Sequence, residues 1–130
     1  MKRDTILIAD DDPAQLRALE ARLTAEGYEV IVTADGYQAL DRARHLRPAL
    51  MLLDIRMPAG SGLSVHERKE KIPEIRDIPV IYLTGLSPDA VDEVAEQLGA
   101  FAILHKPCET QQLLQTVSAA LEPWACDPVR

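Results

Sequence analysis

Cysteine is scarce: Cys108 and Cys126 are the only two in 130 residues. Their separation matches neither a disulfide framework nor a zinc site, and it fits a chain kept in a reducing cytoplasm. Basic residues are also in deficit. The 14 Lys and Arg face 21 Asp and Glu, a net charge of −7, with a pI near 4.9. No clustered basic face for direct nucleic-acid binding is expected from that balance, so the expected partners are proteins. No apolar stretch is long enough to span a membrane, and Met1 to Thr5 runs straight into a short strand pattern without a signal peptide. A soluble, cytoplasmic protein is the expectation. No Gly-x-Gly-x-x-Gly follows the first apolar run, which argues against a dinucleotide enzyme. Repeats and low-complexity segments are missing too, and the length suits one domain with one core.

What the chain does concentrate is carboxylate at the ends of apolar runs. Thr5-Ile6-Leu7-Ile8-Ala9 stops at Asp10-Asp11-Asp12, and Ala49-Leu50-Met51-Leu52-Leu53 stops at Asp54. Two buried strands would deliver these groups to one edge. Massed carboxylates repel one another and are costly to desolvate, so as scaffold they make little sense, whereas a hard cation such as Mg²⁺ takes oxygen ligands of this kind. Asp12 reads separately as a helix N-cap.

The spacing of apolar and turn residues predicts an alternation of strands and helices. Asp12-Pro13-Ala14-Gln15 supplies a cap, a proline for the first helical position and a capping-box glutamine, ahead of an apolar stripe at Leu16, Leu19 and Leu23 closed by Gly27. Tyr28 to Thr33 is strand-like. Asp35-Gly36 opens a helix with Ala39, Leu40, Ala43 and Leu46, broken by Pro48 before the Leu50 to Leu53 strand. Pro58, Gly60 and Gly62 mark a loop into a helix around Leu63 to Lys71, where Glu67-Arg68-Lys69-Glu70-Lys71 reads as a solvated face. Pro79 to Leu83 forms a fourth strand ending on Thr84. Ser87-Pro88-Asp89 caps a helix with Val91, Val94 and Leu98, closed by Gly99. Phe101 to Leu104 makes a fifth strand before Lys106-Pro107, and a last helix carries Leu113, Leu114, Val117 and Leu121 up to Pro123. Strands this continuously apolar imply a parallel sheet covered on both faces, a doubly wound α/β domain. In such sheets ligands bind beyond the carboxyl ends of the strands, which here carry Asp10, Asp11, Asp54, Thr84 and Lys106.

Those residues suit phosphoryl transfer. Asp54 can act as a nucleophile, Mg²⁺ held by Asp11 and Asp54, with Asp10 reaching it through water, would shield the carboxylates, Lys106 adds positive charge, and Thr84 offers a hydroxyl donor. A cis Lys106–Pro107 bond would aim the amine at the site. At these positions the chain resembles the receiver domain of two-component response regulators over residues 5 to 121: the Asp10-Asp11 pair, Leu53-Asp54-x-x-Met57-Pro58, Thr84 and Lys106-Pro107 come in the family's order. The resemblance implies a flavodoxin-like (βα)5 sandwich with strand order 2-1-3-4-5, residues 1–122 forming the domain and 123–130 a tail or linker stub. It implies that Asp54 accepts phosphate from a histidine kinase or histidine phosphotransfer protein. It also implies that Asp10, Asp11, Asp54 and the Arg56 carbonyl bind Mg²⁺ (Mn²⁺ being a substitute), and that Thr84 and Lys106 stabilise the phosphoryl group. Such a chain is a phosphoacceptor that assists its own phosphoryl transfer and dephosphorylation rather than an enzyme. Its output would pass through the face of the fourth helix, fifth strand and fifth helix, to an output domain, an effector or a second copy.

Some positions depart from the family pattern. Ile103 stands where many receivers carry a rotating Tyr or Phe, which predicts switching without a Thr–aromatic relay; Gly85 replaces a common Ala, Ser61 a common Asp, and Cys108 a common Phe. Arg56 faces solvent or lies over the phosphoryl site. His45, His66 and His105 share no metal-ligand or catalytic spacing. An aspartate-based phosphatase of the haloacid dehalogenase type would need an acid where Arg56 stands and a cap domain for which the length is insufficient. A pseudo-receiver that is never phosphorylated would have no need of the full acidic, Thr and Lys set.

Overall fold

A computed structural model describes residues 4–57, 61–85, 93 and 95–122. The strands β1 (Thr5–Ala9), β2 (Glu29–Thr33), β3 (Leu50–Leu53), β4 (Val80–Thr84) and β5 (Ala102–His105) form one sheet in the order β2-β1-β3-β4-β5, every pairing parallel. Helices α1 (Pro13–Ala25), α2 (Gly36–Leu46), α3 (Gly62–Lys69) and α4 (Thr110–Ala120) cover it. The expected capping segment 87–89 lies outside the described residues, as does the tail 123–130, while Glu93 and residues 95–97 are helical. Apart from that fourth predicted helix, whose Val91 and Val94 also lie outside the described residues, predicted and observed elements agree to within about two residues, the usual uncertainty of helix and strand ends.

Alternate residues of the strands feed two separate cores, which is why the strand middles are apolar apart from Tyr82. Ile6, Ile8, Leu50, Leu52, Ile81, Leu83 and Leu104 meet α1 and α4 through Leu16, Leu19, Leu23, Leu113 and Val117. On the other face Leu7, Ala9, Met51, Leu53, Val80 and Tyr82 meet Ala39, Ala43, Val65, Ile75 and Ala95. Each buried Val, Leu, Ile or Met among them contributes about 1.5–3 kcal/mol, and each alanine roughly 0.8 kcal/mol or less. With both faces occupied, the polar residues of the strands sit at their ends, Tyr82 in β4 excepted.

Helix punctuation follows the sequence with three corrections. Asp12 caps α1 by accepting from the Ala14 N–H, and Gly27 turns the chain at φ 93°. The Asp12 N–H, however, donates to Asp10 Oδ1 at 3.0 Å rather than to the expected capping-box Gln15, because the preceding carboxylate is closer along the turn. Leu46, expected in the α2 stripe, is exposed, since the helix ends there and Arg47 turns away in the left-handed region at φ 45°. Lys69, expected on a solvated face, is buried: its Nζ donates to the Arg76 carbonyl and to Glu70 Oε2, both at 2.6 Å, tying the end of α3 to the segment that leads into β4.

Candidate functional site

The carboxyl ends of β1 and β3 lie side by side, so Asp10 and Asp54, one residue beyond each strand, become neighbours across the sheet. Backbone bonds fix both: the Asp10 N–H donates to the Thr33 carbonyl at 3.3 Å and the Asp54 N–H to the Ala9 carbonyl at 2.9 Å. Both carboxylates are nearly buried and Asp11 is exposed. One oxygen from each of Asp10, Asp11 and Asp54 lies within 4.8 Å of the other two.

Lys106 reaches this edge from the end of β5, 96 residues along the chain from Asp10. Its Nζ donates to Asp10 Oδ2 at 3.0 Å and to Asp54 Oδ2 at 3.1 Å, and the Lys106–Pro107 bond is cis. Burial opposes the charge on Lys106, but the hydrogen bonds and charges of the two carboxylates outweigh it and raise its pKa. Burial likewise raises the Asp54 pKa, and although Lys106 pulls it down, the neighbouring Asp10 charge adds to the rise. Fully ionised, three carboxylates against one ammonium leave an excess of two negative charges. That excess, with an all-oxygen donor set, fits a hard divalent cation.

The remaining expected residues are placed as follows. Thr84 closes β4 in full burial, and its carbonyl accepts from the Lys106 N–H at 2.8 Å. Arg56 is exposed; its N–H donates to Asp54 Oδ1 at 3.3 Å, which fixes the carboxylate's rotation. Ser61 caps α3 by accepting from the Ser64 N–H, so the departure from Asp keeps the capping function. His45 Nδ1 lies 2.8 Å from the Asp41 carbonyl oxygen and 3.4 Å from Asp41 Oδ1, and His105 pairs with Thr84 in the sheet register.

One residue was missed as a site residue. Gly62, read as loop punctuation, opens α3 directly against the Asp54–Ile55 segment: a Cβ there would overlap the Asp54 carbonyl oxygen and come within 3.2 Å of Ile55 Cα. Its own N–H donates to the Ile55 carbonyl at 2.9 Å. Position after a Pro/Gly loop was the only sequence signal, and it does not distinguish flexibility from close approach.

Comparison with known proteins gives a consistent result. The sequence model of the response regulator receiver domain matches residues 6–118. The polar-differentiation response regulator DivK of Brucella anthropi is 34% identical over 117 residues, covering 90% of this chain and 95% of that protein. Among solved structures, the chemotaxis response regulator CheY4 of Vibrio cholerae superimposes with a TM-score of 0.85 at 27% identity, covering 92% of this chain and all of that one. The receiver domain of a sensor histidine kinase from Pseudomonas aeruginosa, with magnesium coordinated in its active-site cleft, gives 0.85 at 29% identity over 92% and 98% of the two chains.

Proposed function

Because this chain belongs to the response regulator receiver family of two-component signalling, we propose that Asp54 is the phosphoacceptor of a Mg²⁺-dependent switch, charged by a histidine kinase or histidine phosphotransfer protein. The observation that carries this reading is the pair of bonds from Lys106 Nζ to Asp10 and Asp54, which sets a cation against the carboxylate that must attack. An Asp54 carboxylate oxygen forms the new O–P bond as the P–N bond to the donor imidazole breaks, and the leaving nitrogen takes up a proton. Lys106 is placed to follow the charge onto the phosphoryl oxygens, and Thr84 at the end of β4 offers a hydroxyl to one of them. Asp10, Asp11, Asp54 and the Arg56 carbonyl would hold Mg²⁺, whose part is to offset charge on the carboxylates and the phosphoryl oxygens.

The expected output is a population shift of the surface near β5 and the flanking helices, read by an effector, an output domain or a second copy. Ile103, packed against the apolar layer that contains Leu53, Tyr82 and Ala95, leaves β5 without a Tyr or Phe rotor. Among the described residues no helix is long and apolar enough to cross a membrane.

Incubation with acetyl phosphate, followed by intact mass, tests the proposal. One phosphoryl adduct is expected, dependent on Mg²⁺ and lost in Asp54→Ala; no adduct from acetyl phosphate or from a phosphohistidine donor would make the chain a pseudo-receiver that binds partners without phosphate.

A further inference from the structure

Away from the acidic edge, the described residues contain a second cluster of titratable groups, His66 and Lys69 on α3 and Tyr82 on β4, all three buried, with half-exposed Glu70 at its rim. The Tyr82 hydroxyl lies 2.8 Å from His66 Nδ1 and 3.3 Å from the Gly62 carbonyl oxygen. His66 Nε2 stands 3.9 Å from Glu70 Oε2, and the ring centroids of His66 and Tyr82 are 5.8 Å apart. Burial and then the Lys69 charge lower the His66 pKa to about 4, against the pull of Glu70. Burial, then Glu70, raise that of Tyr82. Both side chains are therefore neutral near pH 7. With the His66 proton on Nδ1, the hydroxyl accepts from His66 and donates to Gly62.

A neutral polar pair inside an apolar layer gives little net stability over apolar residues of the same shape, because the hydrogen bonds it makes were already available from water. What it adds is direction. The Gly62 carbonyl that Tyr82 engages belongs to the residue that presses on the Asp54 backbone, and the Gly62 N–H closes the same loop onto Ile55.

We propose that Tyr82 and His66 are positioning residues for Asp54: they hold the first turn of α3 against the acceptor segment, fixing the Asp54 backbone and the Arg56 N–H that orients its carboxylate. The inference rests on the reading of Asp54 as phosphoacceptor. It differs from a packing role, in which any pair that restores stability would restore function.

Two variants separate these roles. Tyr82→Phe leaves His66 without its partner, whereas Tyr82→Phe/His66→Leu replaces both by apolar groups, a change that can be nearly neutral for stability. The double variant is expected to melt near the wild-type temperature yet acquire phosphate from acetyl phosphate about tenfold more slowly at saturating Mg²⁺, as displaced reacting groups do. Tyr82→Phe is expected to be at least as slow. It should also exchange its Gly62 amide faster while β1 amides keep wild-type protection. Either variant reacting at the wild-type rate would overturn the positioning role, and so would unchanged Gly62 exchange in Tyr82→Phe should the double variant fail to fold. A wild-type chain that takes no phosphate would overturn the proposed function itself, and this inference with it.

Discussion

Gly62→Ala is expected to lower the melting temperature by about 10 °C and to abolish phosphoryl acceptance. In an ordinary helical position alanine would be favoured over glycine by about 1 kcal/mol. Here the added Cβ meets backbone on every near side: it overlaps the Asp54 carbonyl oxygen, lies 3.0 Å from the carbonyl carbon and 3.2 Å from Ile55 Cα. Backbone cannot swing aside as a side-chain tip can, so α3 or the acceptor segment must move. Overpacking of this kind costs about 3 kcal/mol, and subtracting the propensity gain leaves a net loss of about 2 kcal/mol, or roughly 10 °C for a domain of this size. The effect on function should be greater than on folding, because the strand end that moves carries Asp54. Thermal unfolding combined with intact mass after acetyl phosphate measures both, and wild-type values for either would contradict the close approach.

Acid is expected to destabilise the chain through His66 by about 3 kcal/mol between pH 6.5 and 4. The unfolded imidazole titrates near 6.5 and the folded one near 4. Across that window the unfolded state binds more protons, so stability falls as pH falls and the loss is complete once the folded group is also protonated. The groups facing His66 are Lys69 from its own helix, Glu70 just past the end of that helix, and Tyr82 from β4. Asp54 acts in the opposite sense, since its raised folded pKa means that protonation stabilises the fold as pH drops through and below its folded value. The difference between wild type and His66→Leu in urea midpoint, followed against pH, removes such shared contributions. The wild-type midpoint should rise relative to that of His66→Leu as pH increases from 4 to 6.5 and the difference be flat above; a constant difference would mean that His66 titrates alike in both states.

Much of the architecture was legible because its signals are local. Continuous apolar runs mark strands buried on both faces, and Asp12, Asp35 and Gly27 punctuate the helices where the backbone requires a cap or a left-handed turn. The carboxylates at the ends of β1 and β3 were legible for the same reason, since a polar residue directly after a buried strand must emerge at the sheet edge. Motif order then brought Thr84 and Lys106 into consideration. Lys69 was misjudged as solvated, and the burial of His66 went unseen, because in sequence an α3 face dense in charge looks like any exposed helix. Only the fold shows that the Arg76 carbonyl and the Tyr82 hydroxyl wait on the covered side.

The sequence by itself therefore determined the order and type of the elements, the doubly wound layers and which strand ends would carry acids, since each depends on neighbours within one turn or one strand. Tertiary structure alone decided the distances: Lys106 Nζ at 3.0 and 3.1 Å from Asp10 and Asp54, Gly62 against the Asp54 carbonyl, and Tyr82 joined to His66 across the β4–α3 contact. Those contacts join residues up to 96 positions apart, and their geometry is fixed by strand register and helix packing, to which local periodicity is blind.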